Sequence, residues 1–196
     1  VYRINSYGKL ILESTVYGWV DLPETESYYA NGTSGFATNQ YMEVLHSAMD
    51  SLRDNFEIPA FSAFDGDGDG KVDMVTLIHS GYAAEFRGSD VDNATKENRI
   101  WSHQRKVLNK NRWYPDPNNK DGDAFVYQYG TASALYGIEG SAIGRIGVIC
   151  HEIGHALGKW FVLYCVSSLM TPLNVSLYSF YAFHKFGERA SGSVRR

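Results

Sequence analysis

The sequence has few cysteines and no excess of positive charge, and both shortages exclude classes of protein. Only Cys150 and Cys165 are present among 196 residues, so no disulfide framework of a small secreted domain is expected. A formal net charge of −4 and an isoelectric point of about 5.8 provide no basic surface for nucleic acid. We therefore expect one globular domain with a hydrophobic core, in which Cys150 is a small buried residue.

An initiator methionine and a signal peptide are missing as well. The sequence begins at Val1-Tyr2-Arg3, which we interpret as the start of a fragment of a longer protein. Three N-x-S/T sequons begin at Asn31, Asn93 and Asn174. Such tripeptides are frequent by chance, but they agree with a glycoprotein of the secretory route.

What the sequence does contain is the HExxH motif of zinc peptidases at residues 151–155. His151 and His155 are four residues apart and share one face of a helix, so both imidazoles can reach a single Zn²⁺. Glu152 would stand beside the metal, where it can act as general base. The alternative is a chance match on a solvated helix. Against it, apolar residues recur every three or four positions and predict a helix buried on one side: Ile143, Ile146, Ile149, Ile153 and Leu157.

An acidic, glycine-rich segment at residues 65–73 matches the first part of an EF-hand loop. Its candidate calcium ligands are Asp65, Asp67, Asp69, Lys71 (through its backbone carbonyl) and Asp73. Position 12 is Thr76 instead of a bidentate Glu, and a strand follows instead of a helix, so a true EF-hand is not expected. Neighbouring aspartates repel one another unless a cation lies among them. The pattern therefore favours a structural calcium loop over an acidic turn without an ion.

The remaining patterns predict alternating secondary structure. Residues 9–20 indicate one or two strands, 21–38 a loop and 39–56 a helix with Asn39 as N-cap. An internal strand is predicted at 74–79, a short strand at 100–103, and a strand at 124–129 that could lie at the sheet edge and pair with a peptide. Three histidines are interpreted as structural and not catalytic: His46 as a partly exposed helical residue, His79 and His103 as hydrogen-bonded residues near strand ends.

Together these segments resemble the immune inhibitor A family of secreted zinc metallopeptidases. The matching stretches span residues 1–158 in order and include YGKL (7–10), VYGW (16–19), SYYA (27–30), DGDGDGKVD (65–73), HSG (79–81), IWSH (100–103) and IGVICHE (146–152). The resemblance implies an α+β zincin-like catalytic domain with a mixed twisted sheet, a backing helix and an HExxH active-site helix. It also implies zinc on His151 and His155, Glu152 as general base, bound calcium, and extracellular hydrolysis of protein or peptide substrates.

The chain departs from this family after the active-site helix. The family has an acidic ligand six residues after the second histidine, and here that position is Phe161. Residues 160–183 carry no charge. They could be a transmembrane anchor, although Pro172 and Asn174 argue against one, or a divergent subdomain. The interpretation we favour is that 159–196 is a non-matching tail, intron-derived or disordered, because the codons of Gly158-Lys159-Trp160 can contain a splice donor.

Two functions follow from these observations. The first is a monomeric zinc endopeptidase that is inactive or weak in this form, because two imidazoles alone hold zinc loosely. Glu188 is a candidate for a distant third zinc ligand, but its surroundings resemble no known ligand helix. The alternative is a catalytically dead, calcium-stabilised binding module, against which the retained Glu152 argues.

Overall fold

The computed structural model describes residues 10–36, 39–86, 88–139, 142–157 and 181–188. The strands are β1 (Leu10–Tyr17), β2 (Met74–His79), β3 (His103–Lys106), β4 (Gln128–Ser133), β5 (Leu135–Tyr136), β6 (Ala142–Ile143) and β7 (Tyr181–Glu188). The α-helices are α1 (Glu26–Ala30), α2 (Asn39–Asn55) and α3 (Ile146–Ala156). Four 3-10 turns lie between them, at Phe61–Phe64, Ala84–Phe86, Lys96–Asn98 and Asn109–Asn111.

Five of these strands form one mixed sheet in the order β1-β7-β2-β4-β3. β2 and β4 are parallel, and the other neighbours are antiparallel. β5 and β6 pair with each other in a separate two-stranded sheet. The mixed α+β class predicted from the sequence is confirmed. β2 has a neighbour on both sides and four buried residues out of six, as its apolar sequence predicts for an internal strand.

The strand predicted at 124–129 overlaps β4 only at Gln128 and Tyr129, and the suggested position at the sheet edge is wrong. Phe125 and Val126 make only isolated bridges, to Lys71 and Trp113, so the continuous ladder of β4 begins later, at Gln128. β4 then runs between β2 and β3, and β3 is the edge strand of the described sheet on that side. The loop predicted at 21–38 also contains a short helix, α1, whose N-cap Thr25 accepts a hydrogen bond from the Tyr28 amide.

The two long helices pack on opposite faces of the sheet, because successive strand residues point to opposite sides. On one face, Tyr41 of α2 stacks on Tyr129 of β4 with ring centroids 5.5 Å apart. α2 also buries Leu45, Ala48, Met49 and Leu52 completely. On the other face, a Cβ atom added to Gly130 would lie 3.5 Å from Cβ of Glu152 in α3. α2 is thus the predicted backing helix, and α3 carries the HExxH motif.

Residues 181–188 form β7, which pairs with β1 and β2, and Glu188 lies opposite Leu10. The other residues of the segment 159–196 lie outside the described part of the chain. The domain boundary at 158 and the interpretation of this segment as intron-derived or disordered therefore stay predictions. Most of the candidate anchor at 160–183 also falls outside, and no helix within the described residues is long and apolar enough to cross a membrane.

Candidate active site

Helix α3 packs on the sheet through a narrower face than the sequence predicts. Its buried residues are Cys150, Glu152, Ile153 and Gly154. Ile143 belongs to β6 and not to the helix, and 44% of it is exposed; Ile146 begins the helix and is 67% exposed. The predicted apolar stripe is therefore wrong at its first two positions. The contact is made by Cys150, Glu152, Ile153 and Gly154. The helix can approach the sheet at Glu152 because Gly130 of β4 has no side chain there.

The two histidines of the motif lie on the exposed side of this helix. Nε2 of His151 and Nε2 of His155 are 3.0 Å apart, close to the separation of about 3.3 Å between two nitrogens bound to one tetrahedral zinc ion. Burial lowers the pKa of His151, and the neighbouring His155 lowers it further. Both effects favour the neutral imidazole, which is the form that binds a metal. The geometry of this donor pair fits zinc.

Glu152, the residue after His151, lies on the side of α3 that faces the sheet and is 6% exposed. Burial raises the pKa of its carboxyl group to about 7, the negative charge of Glu85 adds to the effect, and a hydrogen bond with the Gln104 backbone opposes it. A carboxyl group with a pKa near 7 exchanges protons readily at neutral pH. The candidate general base thus lies between the active-site helix and edge strand β3.

Gly130 of β4 brings α3 close to the sheet. A Cβ atom at this position would collide with the Cε atom of Met74 and would touch Cβ of Glu152. No local sequence pattern identifies this glycine, because its partners are 56 residues before it and 22 residues after it in the chain. How closely Glu152 approaches the sheet therefore depends on the absence of a side chain at Gly130 of β4.

The substitution Gly130→Ala is expected to lower the free energy of unfolding by about 1 kcal/mol, because the Met74 side chain must move to admit the methyl group. Urea-induced unfolding measures this change. Gly18→Ala is the matched control, since its added Cβ would meet the Phe56 ring at an ordinary 3.4 Å. Equal effects of the two substitutions would contradict the close approach at Gly130.

The chain segment that enters β3 is fixed by carboxylates which the sequence analysis missed. The amide and the hydroxyl of Ser102 donate to the Glu85 carboxylate at 3.2 and 2.6 Å. Two residues before Ser102, the Ile100 amide donates a hydrogen bond to the Glu26 carboxylate at 3.1 Å. These contacts join residues far apart in sequence, so neither periodicity nor a motif could reveal them.

Arg99 is the centre of the largest ion-pair cluster at this end of the sheet. Its guanidinium donates to Glu26 at 2.7 Å, to Asp90 at 2.5 Å and to Asp92 at 2.8 Å. Gly81 leaves room for the Glu26 carboxylate, since a Cβ atom there would overlap it. The cluster connects α1, the end of β2 and the segment that leads into β3.

Three of the other histidines, His46, His79 and His103, have different surroundings. His103 is a hydrogen-bonded structural residue as predicted, with Nδ1 2.7 Å from the Trp101 carbonyl and Nε2 3.0 Å from the Tyr129 hydroxyl. His46 is half-buried in α2, and its Nε2 is 2.9 Å from the Asn111 carbonyl. The prediction for His79 is wrong in one respect: both ring nitrogens are shielded from solvent, and neither makes a hydrogen bond.

The acidic loop brings together three of its predicted side-chain ligands. Asp65, Asp67 and Asp73 can each place a carboxylate oxygen within 4.8 Å of the others. Asp69 differs, because its carboxylate pairs with the Lys71 ammonium group. The donor set of three carboxylates suits a hard cation such as calcium. Among the described residues, no comparable group of three donors includes His151 and His155.

Comparison with known proteins gives one match. The family model described as the immune inhibitor A peptidase M6 catalytic domain matches residues 1–160. No curated protein and no solved structure shows significant similarity to the chain. The match covers most of the chain and ends five residues after the second histidine of the motif.

Proposed function

Because the chain belongs to the immune inhibitor A family of M6 metallopeptidases, we propose that it is the catalytic domain of a zinc endopeptidase with His151 and His155 as ligands and Glu152 as general base. The observation that carries this proposal is the arrangement around α3. Two imidazoles face outward with their Nε2 atoms 3.0 Å apart, and the pKa of His151 is lowered by burial. On the buried side of the same helix, Glu152 has a pKa of about 7.

Each part of this site has a role in peptide hydrolysis. Zinc bound by the two histidines would polarise the scissile carbonyl and activate water. Glu152 would accept a proton and pass it to the leaving amine, which its pKa permits at neutral pH. Edge strand β3 would bind an extended substrate by adding it to the sheet, since only one side of β3 is paired within the described residues. Glu85 and Ser102 would hold the start of that strand in place.

We further propose that this form of the chain is weakly active or inactive. Two imidazoles alone bind zinc loosely, and the family's third ligand position is Phe161. The same observation supports the second candidate function, a catalytically dead, calcium-stabilised binding module. The retained Glu152 favours the peptidase, because a binding module needs no general base.

Zinc content combined with casein proteolysis tests the peptidase proposal. We expect weakly bound zinc and low, chelator-sensitive hydrolysis for the unaltered chain, loss of zinc in His151→Ala, and loss of the remaining hydrolysis with zinc binding unchanged in Glu152→Ala. Glu139→Ala, at an exposed position, is the control and should change neither. Activity that survives chelation, or that is unchanged in Glu152→Ala, would sink the zinc mechanism. Zinc binding without any hydrolysis would support the binding module.

The acidic loop is proposed to bind structural calcium through Asp65, Asp67, Asp73 and the Lys71 carbonyl, with Asp69 joining after its pair with Lys71 breaks. Calcium at about one hundred times its dissociation constant should then raise the free energy of unfolding by about 2.7 kcal/mol. Thermal unfolding with calcium or with chelator measures this effect. Asp67→Asn should remove most of the gain, whereas Asp121→Asn, in another exposed loop, should keep it. An equal response of both variants would contradict the site.

The remaining proposals concern the localisation, oligomeric state and substrates of the enzyme. Proteins of this family are typically secreted, and we propose an extracellular, monomeric glycoprotein that acts on protein or peptide substrates. The acidic net charge of −4 gives no support for a nucleic-acid partner.

A further inference from the structure

We propose that Asn93 is an acceptor of N-linked glycan. The turn around Asn93 holds its side chain outward at the protein surface, and the sequon Asn93-Ala94-Thr95 is complete. This inference rests on the proposed secretory route, but not on zinc or on catalysis.

A tight hairpin places Asn93 at its tip. Ser89 and Thr95 form an antiparallel bridge, and the Asp90 amide donates to the Ala94 carbonyl at 3.2 Å. The Asn93 amide closes the turn by donating to the Asp90 carbonyl at 2.9 Å. Asn93 has a φ of 58°, a left-handed conformation that asparagine tolerates better than most residues. The sequon therefore spans the end of a turn and not a helix or a sheet interior.

The turn is fixed from below by one carboxylate. Asp90 is 7% exposed and accepts hydrogen bonds from the Asp92 amide at 2.9 Å and from the Ala94 amide at 3.2 Å. Arg99 holds the second oxygen of the same carboxylate. Because the base of the turn is bound in this way, the exposed residues at its tip point consistently to solvent.

The surface beside Asn93 suits a sugar. Val91, two residues earlier, is 57% exposed, and the apolar face of a sugar ring would cover this side chain. The Asn93 carboxamide makes no hydrogen bond with any described residue, so attachment of a glycan would break no contact there. A bulky, polar substituent at this position thus shields apolar surface without disturbing the fold.

The other sequons are less favourable or outside the described residues. Asn31 is the C-cap of α1, and its Nδ2 donates to Gln40 of α2 at 3.4 Å. That nitrogen is the atom that a glycan would occupy, and the glycan would lie against the start of α2. Thr33 of this sequon donates its hydroxyl hydrogen to the Ala30 carbonyl. Asn174 lies outside the part of the chain that the structure describes.

The chemistry requires a polyprenyl-diphosphate-linked oligosaccharide as co-substrate. The Asn93 Nδ2 atom bonds to C1 of the first sugar, and the bond from C1 to the diphosphate oxygen breaks. Polyprenyl diphosphate leaves with the bonding electrons, and Nδ2 loses one proton. No oxidant or reductant takes part.

The test is to produce the full chain behind a signal peptide in eukaryotic cells and to treat it with peptide N-glycosidase. We expect a mobility shift of one oligosaccharide or more, and conversion of residue 93 to Asp in the released peptide. Asn93→Gln and Thr95→Ala should lose this glycan, Thr95→Ser should keep it, and Asn31→Gln should leave it unchanged.

The proposal is overturned if the chain enters the secretory lumen with residue 93 unmodified, or if the residue 93 peptide is modified equally in Thr95→Ala. Neither result bears on zinc content or hydrolysis, so the peptidase proposal would stand independently. Because two substitutions remove the same sequon through different residues, misfolding of one variant does not decide the outcome.

Discussion

Replacing Arg99 by alanine is expected to lower the free energy of unfolding by about 3–5 kcal/mol. Only 14% of the Arg99 side chain is exposed, and two of its three partners, Glu26 and Asp90, are 18% and 3% exposed. Removing the guanidinium would leave these carboxylates close together in a poorly solvated region without a counter-ion. The loss of stability arises mainly from the carboxylates left without a counter-ion and not from the lost contacts themselves.

Urea-induced unfolding of Arg99→Ala measures this loss, with Arg53→Ala as the control. Arg53 also pairs with two carboxylates, Asp50 and Asp54, but it lies on the surface with 36% of its side chain exposed. Its loss should cost about 1 kcal/mol or less. An equal loss of unfolding free energy in both variants would contradict the burial of the Arg99 cluster.

Acidification is expected to weaken the folded state through two buried histidines, His79 and His103. Burial lowers the pKa of His103 from 6.5 to about 4. Burial also lowers the pKa of His79, against the opposing charges of Glu26 and Glu85. As the pH falls below about 6.5, the unfolded chain takes up protons at these two histidines and the folded chain does not, so their contribution to stability is lost as the pH falls towards 4. Glu152, with a pKa of about 7, acts in the opposite direction, because the folded chain protonates it first. His103 alone would remove about 3 kcal/mol between about pH 6.5 and about pH 4.

His79→Phe separates the contribution of His79. Its ring nitrogens make no hydrogen bond, and Nδ1 is 3.4 Å from the Glu26 carboxylate without bonding geometry. The phenylalanine variant should therefore be at least as stable as the parent at about pH 7.5. Below about pH 6.5, its stability should fall less steeply, by up to about 1.4 kcal/mol per pH unit. Unfolding curves at several pH values measure the slopes, and parallel slopes would refute the role assigned to His79.

The elements with strong local patterns could be predicted from the sequence. The apolar spacing from Tyr41 to Leu52 identified α2, and the continuous apolar run at 74–79 identified an internal strand. Both patterns work because burial follows the period of one helix or one strand. β4 was misplaced because Phe125 and Val126 have the composition of a strand, whereas their actual partners are single bridges to Lys71 and Trp113. Pairing across the sheet is not encoded within the strand itself.

The proximity of the two histidines of the motif could be predicted from the sequence, whereas the residues that support the candidate site could not. The spacing of His151 and His155 suffices to place both on one helix face. The space beneath Glu152 depends on Gly130, and the anchoring of β3 depends on Glu85 and Ser102, which no motif connects. His79 and His103 show the same limit: both end up near strand ends with lowered pKa values, yet only His103 meets hydrogen-bond partners.

The position of α3 on the sheet has a consequence for how the molecule folds and opens. Among the residues whose burial the structure describes, those of the hydrophobic core cluster lie between Tyr29 and Tyr129. α3 adds only Cys150 and Ile153 to the buried apolar residues, on the opposite face. β7 follows α3 in the chain and pairs with both β1 and β2, so the sheet is completed only after the HExxH helix has been synthesised. In the finished protein, α3 can detach and return while the core stays intact, so its amide hydrogens should exchange through local opening and not through global unfolding.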